Sequence, residues 1–311
     1  MVASPRSMLR TVPSAAALLA MLGLALAGCS LNRLAVNALG DALAESGSTY
    51  AVDDDPELVG QALPFALKTI EGLLETSPDH AGLLLAAASG FTQYSYAFVQ
   101  CEADYAEAAS LGRATELRRR AVRLYRRAHG YGMRGLETAA PGFGAELRRD
   151  PAGAVARLQR GDAEMAYWTA ASWAAAAAVS KEGDLVADLS LAETLMRRAL
   201  ALDEGLGGGA IHDFFIAWEG GRPPSAGGSI ERARAHFARA VEIARGGRVA
   251  PLVSFAETVC VAQQDRAEFS VLLRRALELD ADRFPEQRLA NLVAQKRARW
   301  LLARADELFI E

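Results

Sequence analysis

The chain is short of the residues most chemistry relies on. Among 311 residues there are three cysteines and four histidines. His80, His129, His212 and His236 are scattered, with no His-x-x-x-His pair and no Cys-x-x-Cys, so no metal site of the usual spacing is written into the sequence. No Gly-x-Ser-x-Gly, Walker loop or His-Glu-x-x-His occurs. Nothing here argues for an enzyme or a cofactor. Lysine is nearly absent: Lys68, Lys181 and Lys296 stand alone, and the other basic residues are arginine, as a GC-rich coding sequence would give. The net charge of −4 argues against nucleic acid as the main partner. No stretch alternates apolar and polar residues in the manner of a strand.

What is present begins with a leader. Arg6 and Arg10 precede an apolar run from Thr11 to Leu26, which ends in Leu26-Ala27-Gly28-Cys29. That order is a secretory signal peptide. It looks like a bacterial lipobox, in which Cys29 is acylated and becomes the mature N-terminus. The run is short for a spanning helix, which needs roughly 20 apolar residues. By analogy with lipoprotein sorting, Ser30 after the cysteine directs the protein to the periplasmic face of the outer membrane. The chain then divides into residues 1–28 as leader, 29–55 as lipidated N-terminus, short helix and linker, and 56–311 as a helical domain. Leu31, Leu34, Ala35, Ala38, Leu39 and Ala42 have helical spacing, and Gly47 to Asp55 reads as a loop.

With a hydrophobic content of 51%, the remainder can build a large core. Helical periodicity runs nearly throughout. The expected helices are 56–76, 80–102, 113–137, 162–181, 184–203, 210–219, 229–245, 250–263, 266–280 and 285–309, with Asp55 and Pro56 as cap and first turn of the first. A short pattern recurs as Leu195-Met196-Arg197-Arg198-Ala199-Leu200, His236-Phe237-Ala238-Arg239-Ala240-Val241 and Leu272-Leu273-Arg274-Arg275-Ala276-Leu277. Its alanines are 41 and 36 residues apart, near the roughly 34-residue tetratricopeptide period. The fold class is therefore all-α, a tetratricopeptide-like solenoid of helical hairpins, with generic hairpins as the alternative. Such a stack is elongated. Cys101 and Cys260 would then lie too far apart for a disulfide.

Three motifs could carry function. Gly205-Leu206-Gly207-Gly208-Gly209-Ala210 matches a dinucleotide pattern, but it follows a helix and reads better as an inter-helix turn. The segment from Ala163 to Val179 is apolar on every face and holds Tyr167, Trp168 and Trp173 among alanines. Large aromatics beside small residues either pack on neighbouring helices or line a cavity. Trp168 is expected in the core and Trp173 on a cavity wall. Phe91, Tyr94 and Phe98 form a similar stripe, from which Tyr96 departs. His212-Asp213 could be an acid/base pair, although a satisfied polar pair at a helix start is the plainer reading.

Several strings resemble one family. They are Asp54-Asp55-Pro56-Glu57-Leu58-Val59 with Ala62-Leu63-Pro64-Phe65, Ala81-Gly82-Leu83-Leu84-Leu85, Tyr167-Trp168-Thr169-Ala170-Ala171-Ser172-Trp173, Gly209-Ala210-Ile211-His212 and Asn291-Leu292-Val293-Ala294-Gln295. As a set they are similar to the TRAP transporter T-component (TatT) lipoproteins. The resemblance implies a periplasmic lipoprotein accessory to a tripartite ATP-independent periplasmic transporter, which pairs with the solute-binding P component. It implies a small organic ligand, apolar or carboxylated, and self-association, with a trimer as the candidate state. Cys29 transfers as the lipid anchor, and Tyr167, Trp168 and Trp173 as candidate pocket or interface residues; Tyr96 and His212 are further candidates for ligand or partner binding. A general tetratricopeptide-type scaffold in outer-membrane or cell-wall assembly is the alternative.

Overall fold

The computed structural model describes residues 47–180 and 187–310, which are helical with no strand among them. The leader, Cys29, the helical spacing from Leu31 to Ala42, Lys181 and the start of the helix expected from Asp184 lie outside the described residues.

The helices are α1 (Gly47–Ala51), α2 (Pro56–Thr76), α3 (Ala81–Ser95), α4 (Cys101–Ala106), α5 (Leu111–Ala139), α6 (Phe143–Arg149), α7 (Pro151–Ala156) and α8 (Ala163–Ser180). They continue as α9 (Leu189–Leu202), α10 (Ala210–Gly220), α11 (Ile230–Ala244), α12 (Ala250–Phe255), α13 (Val261–Gln263), α14 (Arg266–Glu278), α15 (Arg288–Ala303) and α16 (Ala305–Leu308). Local chemistry explains the boundaries. Asp55 Oδ1 accepts from the amides of Glu57 and Leu58, both at 3.0 Å, with Pro56 in the first turn. Ser110, Ser229 and Asp265 cap α5, α11 and α14 in the same way.

Successive helices pack as neighbours: α5 against α3 and α8, α8 against α9, α10 against α11 and α12, and α14 against α15. The repeated alanines Ala199, Ala240 and Ala276 are all fully buried. A methyl group there lets the next helix approach where a larger side chain would hold it off. Two hydrophobic clusters result. One runs from Leu67 in α2 to Phe215, and the other from Ile216 to Phe309. Their boundary falls between consecutive residues of α10, whose two faces serve different cores.

Four expectations need correction. The segment from Gly47 is not all loop: α1 is held against α15, where Arg288 Nη1 donates to the Val52 carbonyl at 3.0 Å. A turn this short is held by tertiary contact, not propensity. The stretch between 138 and 161 contains α6 and α7. Asp150 ends one and caps the other through the Gly153 amide at 3.1 Å, and Pro151 opens the second. The last expected helix is broken at Arg304, where the turn lets Phe309 bury against Phe269, ring centroids 4.9 Å apart. Finally, the stack is not elongated in the sense expected, because its two ends meet. Lys296 reaches Glu102 at 2.6 Å, Arg297 reaches Asp104 at 2.9 Å, and Trp300 lies 5.5 Å from Tyr105. Cys101 and Cys260 are buried free thiols, but distance along an open stack is not the reason. They sit in separate surroundings: Cys101 beside Tyr105 and Arg297, Cys260 beside Glu268 and Arg234.

Candidate functional site

Two helices are interrupted by a π turn. Tyr96–Gln100 separates α3 from α4, and Ala256–Cys260 separates α12 from α13. Before the first turn, Thr92 and Ser95 donate back to the carbonyls of Ala88 and Phe91 at 2.6 and 2.5 Å. Within the second, Thr258 donates to Ser254 at 2.6 Å. Such back-bonding competes with the helical ladder and favours a bend. Each π turn re-aims the side chains that follow it, and such turns frequently occur at functional sites.

The first cluster lies where the ends of the chain meet. Arg297 is only 8% exposed. Its Nε donates to Glu257 Oε2 at 3.2 Å, its Nη2 to Glu257 Oε1, and its Nη1 to Asp104 Oδ2 at 2.9 Å. Its guanidinium lies 4.2 Å from the Trp300 ring. Burial opposes the charge on Arg297, but Glu257 outweighs it and holds the group protonated. Asp104 is shared with Arg118 at 3.1 Å. Tyr125 donates to Gln100 Oε1 at 2.6 Å. Beside these groups is a cavity of about 460 Å³ lined by Gln100, Asp104, Glu107, Arg118, Ala178 and Val179.

Tyr96 belongs to this cluster. Its side chain is 44% exposed, while its hydroxyl is held protonated by Cys101, by burial and by Glu257. Burial also pushes the Cys101 thiol up to about 11 and raises Tyr105 and Tyr125. All four are neutral hydrogen-bonding groups at physiological pH. A thiol so placed is not a nucleophile.

The second cluster joins α8 to α10 and the turn before α12. Asp213 pairs with Arg248 Nη2, and Arg248 Nη1 donates to the Gly208 carbonyl at 3.3 Å. Gly208 has φ +68°, and a Cβ there would press on Arg248 Cδ at 3.1 Å. The glycine-rich segment is thus a turn that admits an arginine, not a phosphate cradle. Burial raises the Asp213 carboxyl more than Arg248 lowers it. Asp213 Oδ1 is buried and has no hydrogen-bond partner among the described residues. Tyr167 lies in the field of Asp213 and Arg248, and burial keeps its hydroxyl protonated. An orphaned buried acceptor is where an incoming donor would be held.

The expected site residues do not form one constellation. Tyr96 lies in the first cluster and Tyr167 in the second. Trp168 is half-buried, edge-on to Tyr167 at 4.7 Å, with Nε1 3.3 Å from Glu164. Trp173 is 4% exposed and packs on His129 at 4.4 Å, so the burial of the two tryptophans is the reverse of expectation. Trp173 lies on the α8 face turned toward the core, whereas Trp168 lies toward its edge. His212 and Asp213 point to different partners. His212 Nδ1 is 2.8 Å from His236 Nδ1, and its Nε2 is 3.3 Å from Glu204. Glu204 is gripped by Arg239, whose hydrogen bonds lower its carboxyl to about 2. Burial lowers His212, and lowers His236 to about 4, so the pair shares its inner hydrogen bond in the neutral state.

Arg248, Arg297, Glu257 and Asp104 were not singled out in the sequence. The available signal was a lone charge inside an apolar helix, as Glu257 stands in 250–262. Among the described residues there is no group of three or more metal-ligating side chains, and no helix is long and apolar enough to cross a membrane.

A family model described as TRAP transporter T-component matches residues 52–309. An uncharacterized protein of Treponema pallidum (strain Nichols) is 32% identical over 306 residues, covering 92% of this chain and 94% of that protein.

Proposed function

The chain belongs to the TRAP transporter T-component family, and from that premise we propose that it is a periplasmic lipoprotein, anchored to the outer membrane through Cys29, that binds the solute-binding P component of a TRAP transporter and passes a small organic ligand to it. Membership of the family makes it an accessory of a TRAP transporter. Binding the P component, carrying the ligand, the lipid anchor and self-association as a trimer are the finer parts of the reading.

The observation that carries the ligand part is Asp213 Oδ1, a buried acceptor without a partner among the described residues, whose charge is felt by Tyr167. A ligand that is apolar over most of its surface and offers an O–H or N–H at one end would satisfy it. A protonated carboxylic acid is one such group. The neutral tyrosines Tyr96, Tyr125 and Tyr167 suit binding and release, because they hydrogen-bond without exchanging protons near neutral pH.

The test is a crosslinked pull-down of the lipidated protein, read by mass spectrometry. A TRAP solute-binding protein should dominate the capture. Envelope-assembly proteins in its place would overturn the reading in favour of a scaffold. The ligand part is tested by Tyr167→Phe, which removes one hydroxyl and keeps the ring. The variant should melt as the parent does and retain less of an added apolar carboxylic-acid probe. Unchanged retention would remove this cluster from the site.

A further inference from the structure

The two cores share one element. Ile211 and Phe215 of α10 belong to the first cluster and Ile216 to the second, and among the described residues no other helix contributes buried residues to both. The two halves meet again at a seam where α4 faces α15, and that meeting is made differently. Lys296 reaches Glu102 at 2.6 Å, with both side chains about half exposed, and Arg297 reaches Asp104 at 2.9 Å. The apolar part is a ring pair, Tyr105 with Trp300 at 5.5 Å, and the Lys296 ammonium lies 5.0 Å from the Tyr105 ring. Neither hydrophobic cluster extends across the seam.

A polar seam and an apolar core differ in what separation costs. Parting two apolar faces returns their whole area to water. Parting an ion pair returns water to its charges, and that hydration offsets much of the attraction lost. Small polar interfaces within one chain are accordingly the ones that move. The bonding of the buried pair fits this. Arg297 holds Glu257 in its own half as well as Asp104 across the seam. Asp104 in turn holds Arg118 on its own side, at 3.1 Å. Each therefore keeps an opposite charge when the two part, and opening strands neither. The seam also borders a space. Asp104 lines the cavity of about 460 Å³, whose other lining residues, such as Gln100 and Val179, all lie before α10.

We propose that the seam between α4 and α15 is a gate on this cavity. It opens as the second half swings about α10, and it closes when Lys296 and Arg297 regain Glu102 and Asp104. The ion pairs beside α10, Arg197 with Glu219 and Arg239 with Glu204, lie at the pivot, where a swing moves atoms least. Rigid-body closure about a shared element is a common form of conformational change. The gate stands apart from the transporter reading, because its opening needs neither the P component nor a particular ligand.

Cys101 reports the opening. It is 2% exposed, follows Gln100 of the cavity wall, and lies beside Tyr105 and Arg297. Burial pushes its thiol up to about 11, so it reacts while exposed and not while buried. Cys260, buried in the second cluster, is the internal reference. The full chain carrying Cys29→Ser is treated with a maleimide under native conditions at neutral pH, and each cysteine is followed by peptide mass spectrometry. Lys296→Glu sets two carboxylates against each other across the seam and leaves both cores untouched. It should speed Cys101 on the order of tenfold while Cys260 keeps its parental rate. Lys296→Glu/Glu102→Lys restores the pair with its charges exchanged and should return Cys101 to near the parental rate. An unchanged Cys101 rate in Lys296→Glu would overturn the gate. So would both cysteines speeding alike, or an exchange that fails to rescue.

Discussion

The two cores are joined internally by opposite means. In the first, α5 and α8 approach closely where glycines of α5 face α8. A Cβ on Gly132 would lie 2.2 Å from Thr169 Oγ1, and one on Gly135 would lie 2.3 Å from Met165 Cε. In the second, buried amides bridge the helices. Asn291, 2% exposed, accepts from the Val249 amide at 2.9 Å and donates to the Gly247 carbonyl at 2.9 Å. One turn on, Gln295, 5% exposed, donates to the carbonyls of Ala276 and Leu279 at 3.1 and 2.7 Å. Close approach excludes water and leaves few polar groups to satisfy. Amide bridges satisfy the helix-end groups that looser packing leaves open. The first solution fails by crowding, and the second by leaving partners unpaired.

The largest effect should come from the first core. Trp173→Ala removes the large side chain packed on His129 and should cost about 3–5 kcal/mol, measured by urea unfolding. Reading the transition at Trp300 as well shows whether the second core goes with it. A shared transition would mean that α10 couples the two cores. Asn291→Ala should follow at about 2–4 kcal/mol, because two buried backbone groups lose their partner. A loss under 0.5 kcal/mol would show that the amide bridge does not hold the second core.

Gly132→Ala comes next, at about 1–3 kcal/mol. Gly135→Ala should cost less. The obstacle at Gly132 includes the Thr169 backbone, whereas that at Gly135 is the flexible end of Met165. The reverse order in thermal melts would break the close-approach account. The smallest effect is one of pH. Burial lowers His129 from 6.5 to about 4. The unfolded chain therefore takes up a proton before the folded one does, and stability is lost as pH falls from about 6.5 to about 4. His129→Phe should flatten that decline in melts between pH 7 and 4, although His236, also lowered to about 4, leaves part of it.

Much of this architecture can be read directly from the chain. The caps at Asp55, Ser110, Ser229 and Asp265 mark helix starts, and the small late-helix alanines mark close packing. The pair α6 and α7 was also there to be read, since Asp150-Pro151 is a cap followed by a first-turn proline. Pro141-Gly142 drew attention to a break and away from the short helices after it. The candidate site was far less legible. Tyr96 and Tyr167 could be picked out as aromatics with unusual neighbours, but Arg248 and Arg297 look like any other arginines here. What makes them distinctive is burial against Asp213 and Glu257, and burial is not a local property.

The sequence by itself determined that the described residues are helical, where most helices begin, and which family the chain belongs to. Those follow from periodicity, capping chemistry and a set of short strings, each acting over a few residues. Only the tertiary structure decided that the ends meet and that Trp173 rather than Trp168 is the buried tryptophan. It alone set two cores on one helix and left Asp213 Oδ1 without a partner among the described residues. Each of these depends on how small rotations between successive helices accumulate, and that sum is set by many packing contacts between distant residues, none with a pattern of its own in the chain.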